Sequence, residues 1–427
     1  DFFGKGGFAD YIISANINGL SVDERVVINL KQVNRILNGS AITQGNADSI
    51  AALSRITVLP AIEQAPSSLI LGSFHSVGPN SNAHLTVSKN ASINADPLSV
   101  VGLLSDSSLF FDGSITAHGG DVWMSITPPV SLPDPLYQPT QGLWLGDNAR
   151  IDVSGIAITT LDALGRRTGE VYDGGRVRLD AARGFVATNS GSFINVSGTS
   201  ASLNLPRLNP NGFGLSYDPI TVGSNGGSIE ISAAEGLFVE GQMAGRRGNA
   251  PGTLGATLSV GLDATRRDPD EGEGIILNFP NGPGVLQISQ QIQPVLLGAF
   301  AEAGDALPAQ LARKGYLASD QVSGGGFASL NVLADDEIRF KDDIALNIQG
   351  SLVMNSPKFG WVSSNPGNAG QVVLNAAQVK IGSTRHRTAI ANPTGGNASL
   401  TVNADLIQLN GGAFTSGFNE VNLNASN

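Results

Sequence analysis

Three groups of side chains in this sequence have residue types suited to chemistry: four histidines, two acidic clusters and a set of Asn-x-Ser triplets. His75, His84, His118 and His386 stand far apart. No H-E-x-x-H or similar spacing joins them, so they read as isolated surface histidines rather than zinc ligands. Asp335-Asp336 followed by Arg339 and Lys341 combines carboxylates with cations, residue types that general acid–base work uses. All four share one short segment, however, so they cannot face each other across a cleft, and a solvated charged corner is expected. The run Asp268-Pro269-Asp270-Glu271-Gly272-Glu273 gathers oxygens that Ca²⁺ favours. It departs from the EF-hand spacing and is expected as a flexible acidic loop. Asn90-Ala91-Ser92, Asn195-Val196-Ser197 and Asn397-Ala398-Ser399 match glycosylation acceptors. Asn at turns beside Ser on strands produces the same triplets, and stacked asparagines form ladders. There is no G-x-S-x-G, P-loop or G-x-G-x-x-G, and no cysteine. No catalytic, cofactor-binding or metal residue is assigned, and the chain is expected not to be an enzyme.

The elements that would position any site are defined by a repeat. Glycines precede an alternating apolar strand that ends on Ala: Val177-x-Leu179-x-Ala181 after Gly174-Gly175, Ile229-x-Ile231-x-Ala233 after Gly226-Gly227, and Val372-x-Leu374-x-Ala376 after Gly370. With a longer gap the unit returns as Tyr11-x-Ile13-x-Ala15, Leu330-x-Val332-x-Ala334 and Leu400-x-Val402-x-Ala404. Period-two alternation marks a half-buried strand, and the glycines are expected to supply turn dihedrals. Second strands follow at Ile338-x-Phe340, Val379-x-Ile381 and Ile407-x-Leu409, and third ones at Ile151-Asp152-Val153, Ile194-Asn195-Val196 and Leu346-Asn347-Ile348. Three short strands in roughly 20–25 residues make one coil of a solenoid. About 15 such coils at about 4.8 Å each predict a rod on the order of 70 Å long. The fold class is therefore all-β, a parallel β-helix. In this register Leu179 faces the core and Arg178 faces solvent, so Arg178→Asp is expected to be nearly neutral.

Composition agrees with a turn-rich solenoid. Gly numbers 54 of 427 residues and charged residues make up 14%, where about 25% is usual. Net charge is −11 with scattered basic residues, which predicts no nucleic-acid partner. No apolar run reaches the roughly 18 residues of a membrane span. The whole of residues 1–427 reads as one solenoid segment of a larger protein, because no signal peptide or capping repeat is evident at its ends. Pro, Asn and Gly predict loop excursions at 128–144 and 203–222. A larger, partly helical excursion is predicted near 266–322, with helix-favouring composition over 299–313. Residues 23–37 and 48–59 fit either strand or short helix. Specific binding is expected on the excursions.

These Gly-Gly-strand-Ala coils, the Ile-Asp-Val-Ser-Gly and Ile-Asn-Val-Ser-Gly closures at 151–155 and 194–198, and the acidic, cysteine-free background resemble the two-partner-secretion exoproteins, the filamentous haemagglutinin-like adhesins. The resemblance implies a right-handed parallel β-helix, export through a dedicated outer-membrane two-partner-secretion transporter, and a secreted or cell-surface location. It implies work as an adhesive stalk or biofilm-matrix component in virulence, on a host-cell, glycan or matrix receptor. A delivery stalk for a contact-dependent toxin has the same features. Pectin-degrading β-helix enzymes share the solenoid; in them the acidic pair and basic triplet lie on separate coils, unlike Asp335-Asp336 and Arg339-x-Lys341.

Overall fold

The computed structural model describes residues 2–3, 7–16, 18–39, 50–74, 84–127, 138–210, 212–263, 265–267, 274–276, 282–298, 300–365, 367–383 and 394–426. Among them the chain winds into a parallel β-helix with three faces. Face A is an eleven-stranded sheet running from Asp10–Asn16 to Leu406–Asn410, and face B an eleven-stranded sheet from Leu20–Val22 to Phe414–Ser416. The third face is split into six strands, from Val27–Leu30 to Gln242–Ala244, and four, from Ile344–Asn347 to Phe418–Ala425. Strands of successive coils pair in parallel on every face.

The alternation in sequence becomes stacking in register. Tyr11, Leu69, Val101, Val122, Val177, Ile229, Leu258, Leu330, Leu352, Val379 and Ile407 align one above another as a single inward row on face A. Leu179 lies in the next inward row, between Met124 and Ile231, with no exposed surface. Each such aliphatic side chain removed from water contributes roughly 2–3 kcal/mol. Inward residues of all three faces merge into one continuous core. Eleven layers at about 4.8 Å span about 50 Å, shorter than the 70 Å expected, because hairpins and a strap consume residues between coils.

Of the paired glycines, Gly7 and Gly326 take the positive φ expected of turn residues, and others have a different reason. Gly175 and Gly227 do not take positive φ. A Cβ on Gly227 would run into the carbonyl oxygen of Gly175, and one on Gly175 into that of Gly120. The corner column is glycine because successive coils approach too closely there for a side chain.

At the seventh layer the third face changes element. Helix α1, Ser319–Gly325, packs between the strands Gln242–Ala244 and Ile344–Asn347. Val322 points into the main core in place of an inward strand residue, and Gly326 ends the helix in a left-handed conformation. The Gly245 N–H donates to the Gly325 carbonyl at 2.8 Å, so the helix end continues the ladder of the strand below.

Residues 266–322 are therefore not a pure excursion. Val285–Ser289 and Lys314–Ala318 are both strands of face B, and Lys314–Ala318 inserts between Gly236–Val239 and Val285–Ser289, against chain order. The helix predicted over 299–313 is an extended strap with a single 3-10 turn at Ala309–Leu311; α1 lies after it. Gly304 with φ +98° and Pro308 interrupt the helical pattern, and the apolar stripe is buried against face B instead. Residues 203–222 form most of an antiparallel hairpin, Ser200–Leu208 with Leu215–Gly223, rather than an irregular loop. The ambiguous regions near 23–37 and 48–59 hold strands Val27–Leu30, Val33–Leu37 and Ser54–Val58. Of 128–144, residues 142–144 belong to the face B strand Gly142–Leu145, and 128–137 lie outside the described residues.

Candidate functional surfaces

Among the described residues, those singled out for chemistry do not converge. His84 is half-buried, its ring centroid 5.0 Å from that of Phe110, and burial pushes its imidazole below the ordinary value. It is therefore not a free surface histidine. His118 Nδ1 lies 3.2 Å from Ser154 Oγ and 4.0 Å from Asp152. His75, His386 and the acidic run 268–273 lie outside the described residues. Among the described residues no group of three or more His, Asp or Glu is placed to hold a metal ion, and no helix is long and apolar enough to cross a membrane.

The Asp335-Asp336 corner is not simply solvated: Asp335 is buried and Asp336 half-buried. Asp335 has no exposed surface and accepts from Arg313 Nη2 at 2.7 Å. Asp336 accepts from the Gly284 N–H at 2.6 Å, and buried Glu337 pairs with Arg339 at 2.8 Å and Lys358 at 3.2 Å. Burial pushes the Glu337 carboxyl up, but the Arg339 hydrogen bond and the Arg339 and Lys358 charges outweigh it and hold the group below its ordinary value. Two face A layers down, Arg183 pairs with buried Glu235, whose carbonyl accepts from the Arg313 N–H. This column anchors the inserted strand to the stack.

Asparagines do form a ladder, in which one member, Asn424, opens an Asn-x-Ser triplet (Asn424-Ala425-Ser426). Asn375, Asn403 and Asn424 each donate to the asparagine one layer below, starting at Asn347, over 2.7–2.8 Å. Asn90 instead takes a left-handed backbone, and Asn195 donates to Asp152 at 3.1 Å.

Three surfaces stand out. The first is a wing of hairpins. Val33–Leu37 with Ser54–Val58, Ala157–Leu161 with Arg167–Val171, and Ser200–Leu208 with Leu215–Gly223 all leave between a third-face strand and the next face A strand. The latter two hairpins are tied together: the Arg166 guanidinium lies 3.8 Å over the Tyr217 ring, and the Arg167 N–H donates to Asn204 at 2.8 Å. Leu161, Leu164, Leu208 and Phe213 on this pair are 65–82% exposed. Large apolar side chains grouped at projecting tips mark an interaction surface.

The second is a groove of about 380 Å³ on face A, where Arg178, Glu230 and Asp263 border a lining that includes Val260, Leu333 and Val353. Arg178 Nε lies 3.4 Å from Glu230, and Ser232 donates to Asp180 on the adjoining strand. Burial pushes the Asp180 carboxyl up, assisted by Asp263 and Glu230 and opposed by Ser232 and Arg178.

The third is an aromatic row on the outside of face B. Phe110, Trp144, Ala187, Phe238 and Tyr316 align across successive strands and point away from the main core. The strap of residues 290–313 covers most of it. Phe300 sits among Trp144, Phe185 and Phe238 with centroids 5.2–5.3 Å away. Buried Glu240 accepts from the Val295 and Leu296 N–H groups at 2.6 and 2.8 Å, and the Leu307 N–H donates to Pro139 at 2.7 Å. The sequence does signal this row. Leu109-Phe110-Phe111, Leu143-Trp144-Leu145 and Leu237-Phe238-Val239 are continuous apolar runs where a half-exposed strand would alternate, as expected for strands covered on both sides.

No family model matches the chain, and neither the curated proteins nor the solved structures contain a match to it.

Proposed function

We propose that this chain is a rigid, non-catalytic stalk segment of a secreted or surface-displayed bacterial exoprotein, and that it attaches to cells, surfaces or biofilm matrix. The observation that supports this reading best is the hairpin wing. A continuous core holds the stack rigid, while Leu161, Leu164, Leu208 and Phe213 project from one corner of it. On the same reading the cysteine-free chain leaves the cell unfolded through an outer-membrane two-partner-secretion transporter, since a stack of this kind gains its core only as coils accumulate. Beads coated with the chain should adhere to epithelial cells or to biofilm matrix. Combined Leu164→Ser, Leu208→Ser and Phe213→Ser should lower that adhesion several-fold with an unchanged circular-dichroism spectrum. Absence of adhesion by the wild type, or undiminished adhesion by the variant, refutes the reading.

The face A groove favours a second reading, a polysaccharide-active enzyme. Glu230 and Asp263 line the groove beside Arg178, and Asp180, pushed up by burial, accepts from the lining Ser232 on the adjoining strand; carboxyls so placed have the parts of an acid–base pair. Release of reducing sugars or unsaturated uronides from a polysaccharide panel, lost in Asp180→Asn, would establish it.

A further inference from the structure

The two tied hairpins carry their turns side by side. Arg166 of the first lies 3.8 Å over the Tyr217 ring of the second. Leu164 is two residues beyond Arg166 and Leu215 two residues from Tyr217, each toward its own turn, so both turns lie past this contact. Leu161 and Leu164 on the first, and Leu208, Phe213 and Leu215 on the second, are each more than half exposed. The turns are held open by their own hydrogen bonds. Asp162 accepts from the Leu164 and Arg166 N–H groups, both at 2.9 Å, and Asn209 Nδ2 donates to the Phe213 carbonyl at 2.8 Å.

Charge is arranged behind these apolar residues. Asp162 is neutralised by Arg166 at 2.6 Å, and residues 207–217 contain no Asp or Glu. Arg167 and Arg207 are exposed and form no ion pair among the described residues. In a chain of net charge −11 the tips thus carry uncompensated cations. Tyr217 stands two residues behind Leu215, about 7 Å at about 3.4 Å per strand residue. Apolar groups that seat in a bilayer surface enter it by roughly 5–10 Å, and Tyr and Arg favour the headgroup level just above them.

We infer that the wing tips insert into the surface of a phospholipid bilayer. Leu164, Leu208, Phe213 and Leu215 enter the acyl boundary, Tyr217 lies at headgroup level, and the Arg167 and Arg207 guanidinium groups donate to lipid phosphates. A folded protein partner must match the shape of the turns over about 800 Å² a side. A fluid bilayer closes round projecting side chains with no preformed match. The inference deepens the attachment reading, on which the choice of the wing rests, by naming the surface contacted.

The test floats the whole chain with vesicles of phosphatidylcholine alone and of phosphatidylcholine mixed with phosphatidylglycerol. The chain should bind both. Phe213→Ser and Leu164→Ser should each weaken that binding about tenfold, the order that burying one such side chain supplies. Arg167→Gln combined with Arg207→Gln should weaken binding to the mixed vesicles about 25-fold, about fivefold for each cation near an anionic surface, and affect pure phosphatidylcholine much less. All these variants should keep the wild-type melting temperature to within a few degrees. The chain has no cysteine, so Phe213→Cys takes a single environment-sensitive fluorophore. Its emission should shift to the blue on vesicles and be quenched by lipids spin-labelled on the acyl chain. The same label at Leu297→Cys, on the strap and 66% exposed, should do neither. Absence of flotation into the millimolar lipid range, undiminished binding by Phe213→Ser and Leu164→Ser, or an unresponsive label at position 213 overturns the inference. So does lipid-free association of the chain, seen by sedimentation velocity and abolished by Phe213→Ser, which would assign the tips to a second copy. Vesicle binding without bead adhesion would refute the attachment reading and leave this inference standing. Wing-dependent bead adhesion without vesicle binding would do the reverse and assign the tips to a protein or glycan receptor.

Discussion

Leu179→Asp probes the register of the stack directly. Leu179 is fully buried, with Met124 below it and Ile231 above. Truncating such a leucine costs about 3 kcal/mol. The new carboxyl, with an ordinary pKa of about 3.9, must also be held protonated among aliphatic neighbours at pH about 7, a further 4 kcal/mol or so at about 1.36 per pH unit. The sum, about 7 kcal/mol, rivals the roughly 5–15 kcal/mol of a whole domain. Each coil is held by its neighbours, so damage should centre on the strands Asp121–Ile126, Arg176–Ala181 and Ser228–Ala233. Hydrogen-exchange mass spectrometry should show these strands losing protection first, and urea unfolding should report the loss of stability. The sign with pH follows from the same arithmetic. Lowering pH to about 4 removes the protonation cost, so the gap between Leu179→Asp and Leu179→Ala should shrink by about 4 kcal/mol. Destabilisation below about 2 kcal/mol at neutral pH, or a gap that does not close on acidification, would show that Leu179 does not face the core.

Arg178→Asp, expected from alternation alone to be neutral, should instead cost about 1 kcal/mol in thermal or urea unfolding. It replaces the cation 3.4 Å from Glu230 with a like charge. Arg313→Met should cost about 3–5 kcal/mol, because it strips buried Asp335 of its guanidinium, and limited proteolysis should then cut the strap sooner. Replacing residues 290–312 with a Gly/Ser linker should keep the β spectrum and raise binding of a hydrophobic dye, whereas replacing 266–322 should break the stack, since it deletes two face B strands and the first four residues of α1. Stability should fall as pH drops below 6.5, the ordinary value from which burial depresses His84, and again below 4.5 as Glu337 is protonated through its lowered value. Asp180 acts in the opposite sense, losing stability as pH rises above 3.8 through its raised value. Melting curves of the wild type against His84→Leu and Glu337→Gln would separate the first two contributions.

Much of this architecture could be read from local pattern. Val177-x-Leu179-x-Ala181 and its relatives specify alternating strands because a side-chain period of two is a property of the strand itself. Short strands punctuated by glycines then require stacking, since one coil has no core of its own. What the repeat could not state is which face a strand joins. Val177 and Ile229 lie on face A, but the same motif at Val372 and Leu400 lies on the third face. The change of face comes later than the added face B strand and α1, since Leu330, which follows both, still stacks on Leu258 of face A. The reason for the glycines was hidden likewise, because Gly227 is limited by the Gly175 carbonyl of another coil and not by its own dihedrals.

The candidate sites were less legible still. Composition over 299–313 signals helix, and local propensity is a weak prior that tertiary burial overrides. Phe300 gains more from packing among Trp144, Phe185 and Phe238 than a short interrupted helix could return. Asp335-Asp336 has the composition of a solvated corner, yet Arg313 reaches it from the strap and makes Asp335 interior. The sequence by itself determined the strand period, the need to stack, and the absence of cysteine chemistry. Tertiary structure alone decided the layer count, the strap and the wing, because each depends on contacts between coils that no local pattern encodes.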